Sequence, residues 1–168
     1  MPFMRHRPAV AAAICAAALC STPAPSIARP DARAAAASSV TGDVIDLTNV
    51  ERTRQHRSAL HANARLMRAA QIQAEQMARA HRLAHVLPNA TYPSAQDRLA
   101  AANYRWRTYG ENVALGQPDA RDVVRSWMHS RGHRTNILNA DFSEIGAGYA
   151  TDTAGRPYYV QVFGRPLS

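Results

Sequence analysis

The amino-acid sequence predicts an α+β domain in which helices are followed by a small antiparallel sheet. Apolar residues recur every three to four positions over much of residues 43–82, as on the buried face of a helix. Two runs rich in Tyr, Val and Ala come only later, at residues 145–150 and 158–163, and the segment between them contains Gly155, as expected of a hairpin. Helices that precede strands in this way favour helices packed on a sheet.

The start of the chain has the pattern of a secretory signal peptide. Basic residues precede an apolar run that ends at Cys20, and the segment closes at Ala28 with the small-x-small pattern of a cleavage site. The apolar run is too short to span a bilayer as a helix. A lipoprotein anchored at Cys20 is the alternative, but Leu19 stands where lipoprotein signals generally have a small residue.

Cleavage after Ala28 would divide the chain into a signal peptide (1–28), a flexible leader rich in Ala, Ser and Arg (29–41) and one domain (42–168). Both cysteines lie upstream of the cleavage site, so the mature protein would contain no disulfide. We therefore expect a secreted or periplasmic monomer that is stabilised by packing alone and has no transmembrane segment.

The charge of the chain does not predict a nucleic-acid partner. The net charge is +8, and all 20 basic residues are arginine. These arginines are scattered along the sequence, without the basic stripe interleaved with aromatic residues that nucleic-acid binding requires. A solvated surface is the expected role for most of them.

Two helices are predicted in the first half of the domain. Asp43 is expected to cap the first, whose apolar stripe would include Val44, Leu47 and Val50. The second is expected from Ala64 to Arg82. Its predicted buried face consists of Leu66, Ala70, Ala74, Met77 and Ala78.

Two further helices are predicted around the middle of the chain. Ser94 followed by Asp97 has the pattern of a helix start, which predicts a short helix over residues 94–103. Pro118 and Asp119 introduce another helix, on which Trp127 is expected to anchor the core.

Glu111, His85 and His133 are the candidate residues of a polar cleft. Gly110 directly precedes Glu111 and Gly132 directly precedes His133, which suggests backbone turns that direct both side chains into a cleft. Glu and His that face each other form either a metal site or an acid–base pair. For a single histidine, the alternative is a cap at a helix C-terminus, where the macrodipole favours its charge.

Two histidine spacings resemble metal sites but are weaker predictions. His81 and His85 are four residues apart, as zinc ligands on one helix face would be, yet Arg82 replaces the glutamate of the metalloprotease motif. His85 also lies close to the expected helix end. His129 and His133 share the same spacing, but the glycine between them is expected to end the helix and leave His129 exposed.

The order and spacing of several motifs resemble the CAP superfamily, which includes cysteine-rich secretory proteins, insect venom antigens and plant pathogenesis-related proteins. The chain is most similar to its compact bacterial branch. The matching pieces are Asn49 with Arg52, residues 74–85, 97–99, 110–114, 127–138, 145–148 and 159–164. The resemblance implies a CAP-type α-β-α sandwich with a cleft lined by two histidines and two acidic residues.

The resemblance also implies which residues line the cleft. His85 matches the first family histidine, Glu111 the glycine-linked glutamate and His133 the second histidine. Ser130 stands where animal and plant members have their second glutamate. With one carboxylate left, His85 and His133 are expected to hold a divalent metal such as zinc only weakly.

The function expected from this cleft is binding rather than catalysis, in an envelope or extracellular module. The expected partner is a small molecule, a lipid or an envelope component. One alternative is a metal-dependent, peptidase-like hydrolase with Glu111 as its base, although no serine or cysteine stands in a recognisable nucleophile motif. The other is lipid or sterol binding.

Overall fold

The computed structural model describes Met1 and residues 32–167, with side chains from residue 35 onward. The proposed signal peptide lies, apart from Met1, outside the described residues. In chain order the elements are α1 (Ala32–Arg54), β1 (His61–Ala62), α2 (Ala64–Ala80), α3 (Ala95–Ala101), β2 (Trp106–Leu115), α4 (Ala120–His129), α5 (Arg131–Leu138), β3 (Glu144–Thr151) and β4 (Pro157–Pro166). None of the helices in this part of the chain is long and apolar enough to cross a membrane.

The four strands form one sheet between two layers of helices. Their order is β1-β3-β4-β2; β4 is antiparallel to both neighbours, and the two-residue β1 adds a parallel pair with β3. Side chains alternate along the central strand β4. Tyr159 and Phe163 join the core with α1 and α4, whereas Tyr158, Val160 and Val162 join the core with α2 and α3. The fold is therefore an α-β-α sandwich, as predicted, around a sheet that is mixed rather than wholly antiparallel.

Helix α1 starts earlier than the sequence analysis predicts. It begins at Ala32, so Asp43 lies exposed in its interior and does not cap it, and residues 32–41 of the predicted leader are helical. The run of alanines before Asp43 has high helix propensity, which explains the extension upstream. Val44 is buried as expected, but Val50 is 43% exposed because the buried stripe continues through other residues. These residues are Ile45, Thr48 and Arg52.

Helices α2 and α3 agree closely with their predictions. All five residues of the predicted face of α2 are buried. The Asn63 side chain caps its start, and His81 caps its end in the left-handed conformation with φ of 50°. At α3, Ser94 and Asp97 form a reciprocal capping box.

Helix α2 lies unusually close to strand β3. A Cβ atom added at Gly146 would overlap the backbone at Leu66, and one added at Gly148 would overlap the backbone at Ala70. The two glycines therefore allow the backbones of helix and strand to touch, with no side chain between them at these positions.

Trp127 anchors the core between α4 and the sheet, as predicted. Its side chain is 1% exposed, and its indole Nε1–H donates to the carbonyl oxygen of Val113 on β2 at 3.2 Å. The ring thus fills the core and also pairs a backbone carbonyl on the edge strand.

Trp127→Ala is expected to lower the free energy of unfolding by about 3–5 kcal/mol, the usual range for deleting a buried aromatic ring. Trp127→Phe, which keeps most of the volume but loses the indole donor, should lose less. Chemical denaturation followed by circular dichroism measures both. A loss below about 1 kcal/mol for the alanine variant would contradict a buried anchor.

Candidate functional site

Glu111 and His85 meet at the boundary between β2 and the loop that follows α2. The Glu111 side chain is 5% exposed, and its Oε1 lies 2.9 Å from Nδ1 of His85. Its other oxygen, Oε2, accepts a hydrogen bond from Nη2 of Arg98 at 2.8 Å. Glu111 therefore uses both carboxylate oxygens within the protein, whereas His85 remains 56% exposed.

Arg98 is a buried cation that the sequence analysis did not assign to the site. Its side chain is 1% exposed, and it comes from α3. Besides Glu111 it donates to the carbonyl oxygens of His85 at 3.2 Å, Tyr92 at 3.3 Å and Pro93 at 3.2 Å. Its Nε has no hydrogen-bond partner. Arg98 thus fixes both the Glu111 carboxylate and the backbone of the loop that carries His85.

His133 reaches the site from α5 through a network of buried amides. Asn112 follows Glu111 on β2, and its Nδ2 donates to the carbonyl oxygen of His133 at 3.1 Å. Asn136, one turn further along α5, donates to the Glu111 carbonyl oxygen at 3.1 Å and to Oδ1 of Asn112 at 2.9 Å. These bonds hold the start of α5, and with it His133, against the edge strand.

The two histidines experience opposite electrostatic environments. The hydrogen bond with Glu111 raises the pKa of His85; burial opposes this rise, the Glu111 charge adds to it and the Arg98 charge reduces it. For His133, burial lowers the pKa, and the charge of His85 lowers it further. The pKa of His85 is therefore shifted upward and that of His133 downward within one site.

The glycines beside the site residues do not form the predicted turns. Gly110 lies within β2, where a Cβ atom would collide with the ring of Phe142 and with Asn136. Its role is to let these side chains approach the strand. Gly132 lies inside α5 and does not end a helix. Glu111 consequently lies in the middle of a strand, not at the end of an element.

His81 and His129 have partners outside the site, and Ser130 lies between two helices. His81 caps α2 and pairs with Asp152, so it shares no helix face with His85. His129 is exposed, as expected, and its Nδ1 donates to the carbonyl oxygen of Arg125 at 2.7 Å. Ser130 is the junction between α4 and α5, and its side chain makes no capping bond.

The described residues show no three-ligand zinc shell around Glu111. Within residues 32–167, no group of three or more His, Cys, Asp or Glu side chains is placed to hold a metal ion. The ion pair with Arg98 and the hydrogen bond with His85 occupy both Glu111 oxygens. The buried Arg98 guanidinium beside the carboxylate also repels a metal cation. Its unpaired Nε–H requires an acceptor, which a metal cation does not supply.

Comparison with known proteins identifies similar chains in bacteria. The model of the cysteine-rich secretory protein family (CAP) matches residues 45–163. The Bacillus subtilis protein YkwD is 39% identical over 106 residues, which cover 63% of this chain and 40% of that protein. The chain therefore spans less than half the length of this relative.

Solved structures agree with the fold. An extracellular protein from Bacillus anthracis that contains an SCP domain is 27% identical with a TM-score of 0.70, over 77% of this chain and 41% of that one. An outer surface protein from Borrelia burgdorferi has a TM-score of 0.66 over 74% of this chain and 90% of that one. Its identity is 19%, so this similarity concerns the fold alone.

Replacement of Arg98 by Met is expected to destabilise the fold by about 3–5 kcal/mol, because it leaves the Glu111 carboxylate buried without its positively charged partner. Glu111→Leu should have a similar effect for the same reason. The double variant should lose less than the sum of the two, since neither charge is then left alone. Denaturant melts of the three variants measure the coupling, and strict additivity would contradict the ion pair.

His85 is expected to take up its proton at a higher pH than His133. The raised pKa means that protonated His85 stabilises the fold fully below its unfolded value of about 6.5, and this contribution disappears as the pH rises through the folded pKa. Because the ring is exposed, the contribution is roughly 1 kcal/mol at most. The lowered pKa of His133 has the opposite sign, so His133 opposes folding as the pH falls below about 6.5.

NMR titration of the histidine side chains shows which of the two is protonated at the higher pH. The variants His85→Gln and His133→Gln assign the signals. Removal of the His85 charge should also raise the pKa of His133. A His133 ring that titrates at or above the pH of His85 would refute this electrostatic account.

Proposed function

Because the chain belongs to the CAP, or cysteine-rich secretory protein, family, we propose that it is an exported binding module of the bacterial envelope or extracellular space. The signal-peptide pattern that ends at Ala28 supports export. The similar SCP-domain protein from Bacillus anthracis is described as extracellular, which agrees with this proposal. The proposed ligand cleft contains His85, Glu111 and His133.

The observation that carries the proposal is an exposed imidazole oriented by a buried ion pair. Burial of Arg98 and Glu111 is unfavourable in itself and is compensated only by close pairing. The pair fixes His85, whose Nδ1–H donates to the Glu111 carboxylate, so its other ring nitrogen, Nε2, is left for a ligand. An arrangement of this kind preorganises a hydrogen bond for a binding partner.

The charge of the site favours an anionic or strongly polar oxygen on the ligand. Arg98 and Glu111 neutralise each other, so protonation of His85 leaves the site with one net positive charge. The raised pKa of His85 favours that protonated form, in which Nε2 donates. A carboxylate or phosphate oxygen accepts such a bond and strengthens it through its charge.

The hydrolase alternative with Glu111 as its base is less well supported. Both Glu111 oxygens already accept hydrogen bonds, from Arg98 and His85, which leaves the carboxylate poorly placed to take a proton from water. Binding is therefore the better-supported function for this geometry.

Inorganic phosphate and zinc are the two probes that test this function on protein without a histidine tag. Phosphate should shift the NMR signals of His85 and His133, with binding that weakens as the pH rises through the His85 pKa. His85→Ala and His133→Ala should each weaken binding about tenfold or more, the equivalent of about 1.4 kcal/mol. His129→Ala, which removes an exposed histidine from the same helical region, is the matched control and should bind normally.

The opposite pattern would identify a metal site instead. Stoichiometric zinc uptake that is lost in His85→Ala and in His133→Ala, without any response to phosphate, would overturn the proposed anionic ligand. Ligand histidines must be neutral, so that uptake would strengthen rather than weaken as the pH rises.

A further inference from the structure

A second cleft lies between α2 and the end of β3 and shares no lining residue with the His85 site. Its volume is about 700 Å³, within the range of roughly 300–1,000 Å³ for sites that bind small molecules. His81 and Asp152 form one wall, Glu75 lies on the α2 side, and the start of α1 contributes alanines. The cleft thus joins polar groups from two elements with an apolar surface.

Asp152 is a buried carboxylate that fixes the orientation of His81. It has no exposed side-chain surface, and its Oδ1 accepts the backbone N–H groups of Ala154 and Arg156, both at 2.9 Å. Its Oδ2 accepts from Nε of Arg156 at 2.7 Å and lies 3.3 Å from Nδ1 of His81. Burial alone would raise the pKa of Asp152, but these hydrogen bonds, from Arg156, His81 and Ala154, lower it well below its usual range.

An ionised Asp152 determines which nitrogen of His81 carries the proton. A carboxylate only accepts, so Nδ1 of His81 is the donor, and in the neutral ring Nε2 is left as an acceptor. The ring is 47% exposed and lines the cleft. His81 also holds the left-handed backbone conformation, with φ of 50°, at the C-terminal end of α2. Its acceptor nitrogen is thereby offered to a ligand.

Glu75 supplies a second acceptor at the same cleft. Its side chain is 49% exposed, its Oε1 accepts a hydrogen bond from Nε2 of Gln71 at 3.1 Å, and its Oε2 lies 3.7 Å from Nη1 of Arg79. Gln71 is itself fixed to β3 by bonds with both the N–H and the carbonyl oxygen of Tyr149. The carboxylate therefore has a defined position and retains lone pairs for a donor on a ligand.

Small apolar residues form the rest of the cleft. Ala36 and Ala37 come from α1, Ala78 from α2 and Ala150 from β3, with Tyr149 beside them. Alanine side chains leave a shallow apolar surface on which a flat C–H face can pack. The cleft therefore combines two acceptors with an apolar platform.

We propose that this cleft binds a neutral saccharide, whose hydroxyl groups donate to His81 Nε2 and to the Glu75 carboxylate while a C–H face of a sugar ring lies on the alanines. Glu75 and Arg79 pair with each other in this cleft, so the pair offers no uncompensated charge to attract an anion or a cation. An alkyl chain has no hydrogen-bond donor, so its binding would bury His81 Nε2 and the Glu75 carboxylate unpaired, which is unfavourable. A sugar ring supplies both contacts: its hydroxyl groups donate to the two acceptors, and its C–H face packs on the alanines.

Titration with N,N′-diacetylchitobiose and with cellobiose, two neutral disaccharides, tests the proposal on the full domain. We expect binding of at least one of them with a Kd of about 1 mM, a modest affinity for a shallow site. Amide chemical shifts of residues around the cleft should move. The His81 ring should show a protonated Nδ1 and an unprotonated Nε2 in nitrogen-detected NMR at a pH where it is neutral.

Two variants identify the acceptors. Glu75→Ala on the exposed surface of α2, and His81→Asn, which tolerates the left-handed backbone, should each weaken binding about tenfold, the equivalent of about 1.4 kcal/mol. His129→Asn is the matched control and should bind as the parent does. Thermal melts show whether each variant is folded.

No shift at the cleft with either disaccharide, or unchanged binding in folded His81→Asn and Glu75→Ala, would overturn the proposal. A His81 ring protonated at Nε2 and not at Nδ1 would do the same, because the ring would then offer no acceptor. None of these results bears on the phosphate response of His85 and His133, so the two proposals fail independently.

Discussion

The Glu111 carboxylate and the Arg98 guanidinium meet where almost no water reaches them, and the rest of the site is arranged around that pair. Loss of either partner leaves a buried charge uncompensated, which makes the pairing a strong constraint on the packing of α3 against β2. Arg98 also binds the carbonyl oxygens of His85, Tyr92 and Pro93. The loop after α2 therefore takes its shape from the same cation that holds the carboxylate, and His85 is positioned from both sides.

A network of hydrogen-bonded side-chain amides positions His133. Gln161, on the central strand, donates to the hydroxyl of Thr48 on α1 at 2.6 Å and accepts from Asn112 on β2 at 3.0 Å. Asn112 in turn binds the His133 carbonyl oxygen and accepts from Asn136. Because these groups are buried, each unmade bond would be unfavourable. The network connects α1 and α5, which pack on the same face of the sheet, through strands β4 and β2, and it fixes α5 relative to Glu111.

Local signals in the sequence predicted much of the fold, whereas contacts between distant residues escaped them. The capping box of Ser94 and the apolar face of α2 depend on neighbours within a few positions, so their patterns were readable. Gly110 was misread because a glycine that admits a neighbouring side chain looks the same in sequence as one that makes a turn. Arg98 and Asn112 stood within motifs that resemble the family, yet their partners lie 13 and 49 positions away. Burial of an arginine is a tertiary property, and the sequence offered no local sign of it.

The contact of α2 with the glycines of β3 has a mechanical consequence for both clefts. Where backbone rests directly on backbone, no layer of side chains can change rotamer to let the helix slide over the sheet. The first half of α2 is thus held directly against β3, and the loop that follows the helix begins with His81 and carries His85 four residues later. The two proposed clefts then share one support that cannot slide over the sheet, which would keep each imidazole in place while a ligand arrives and leaves.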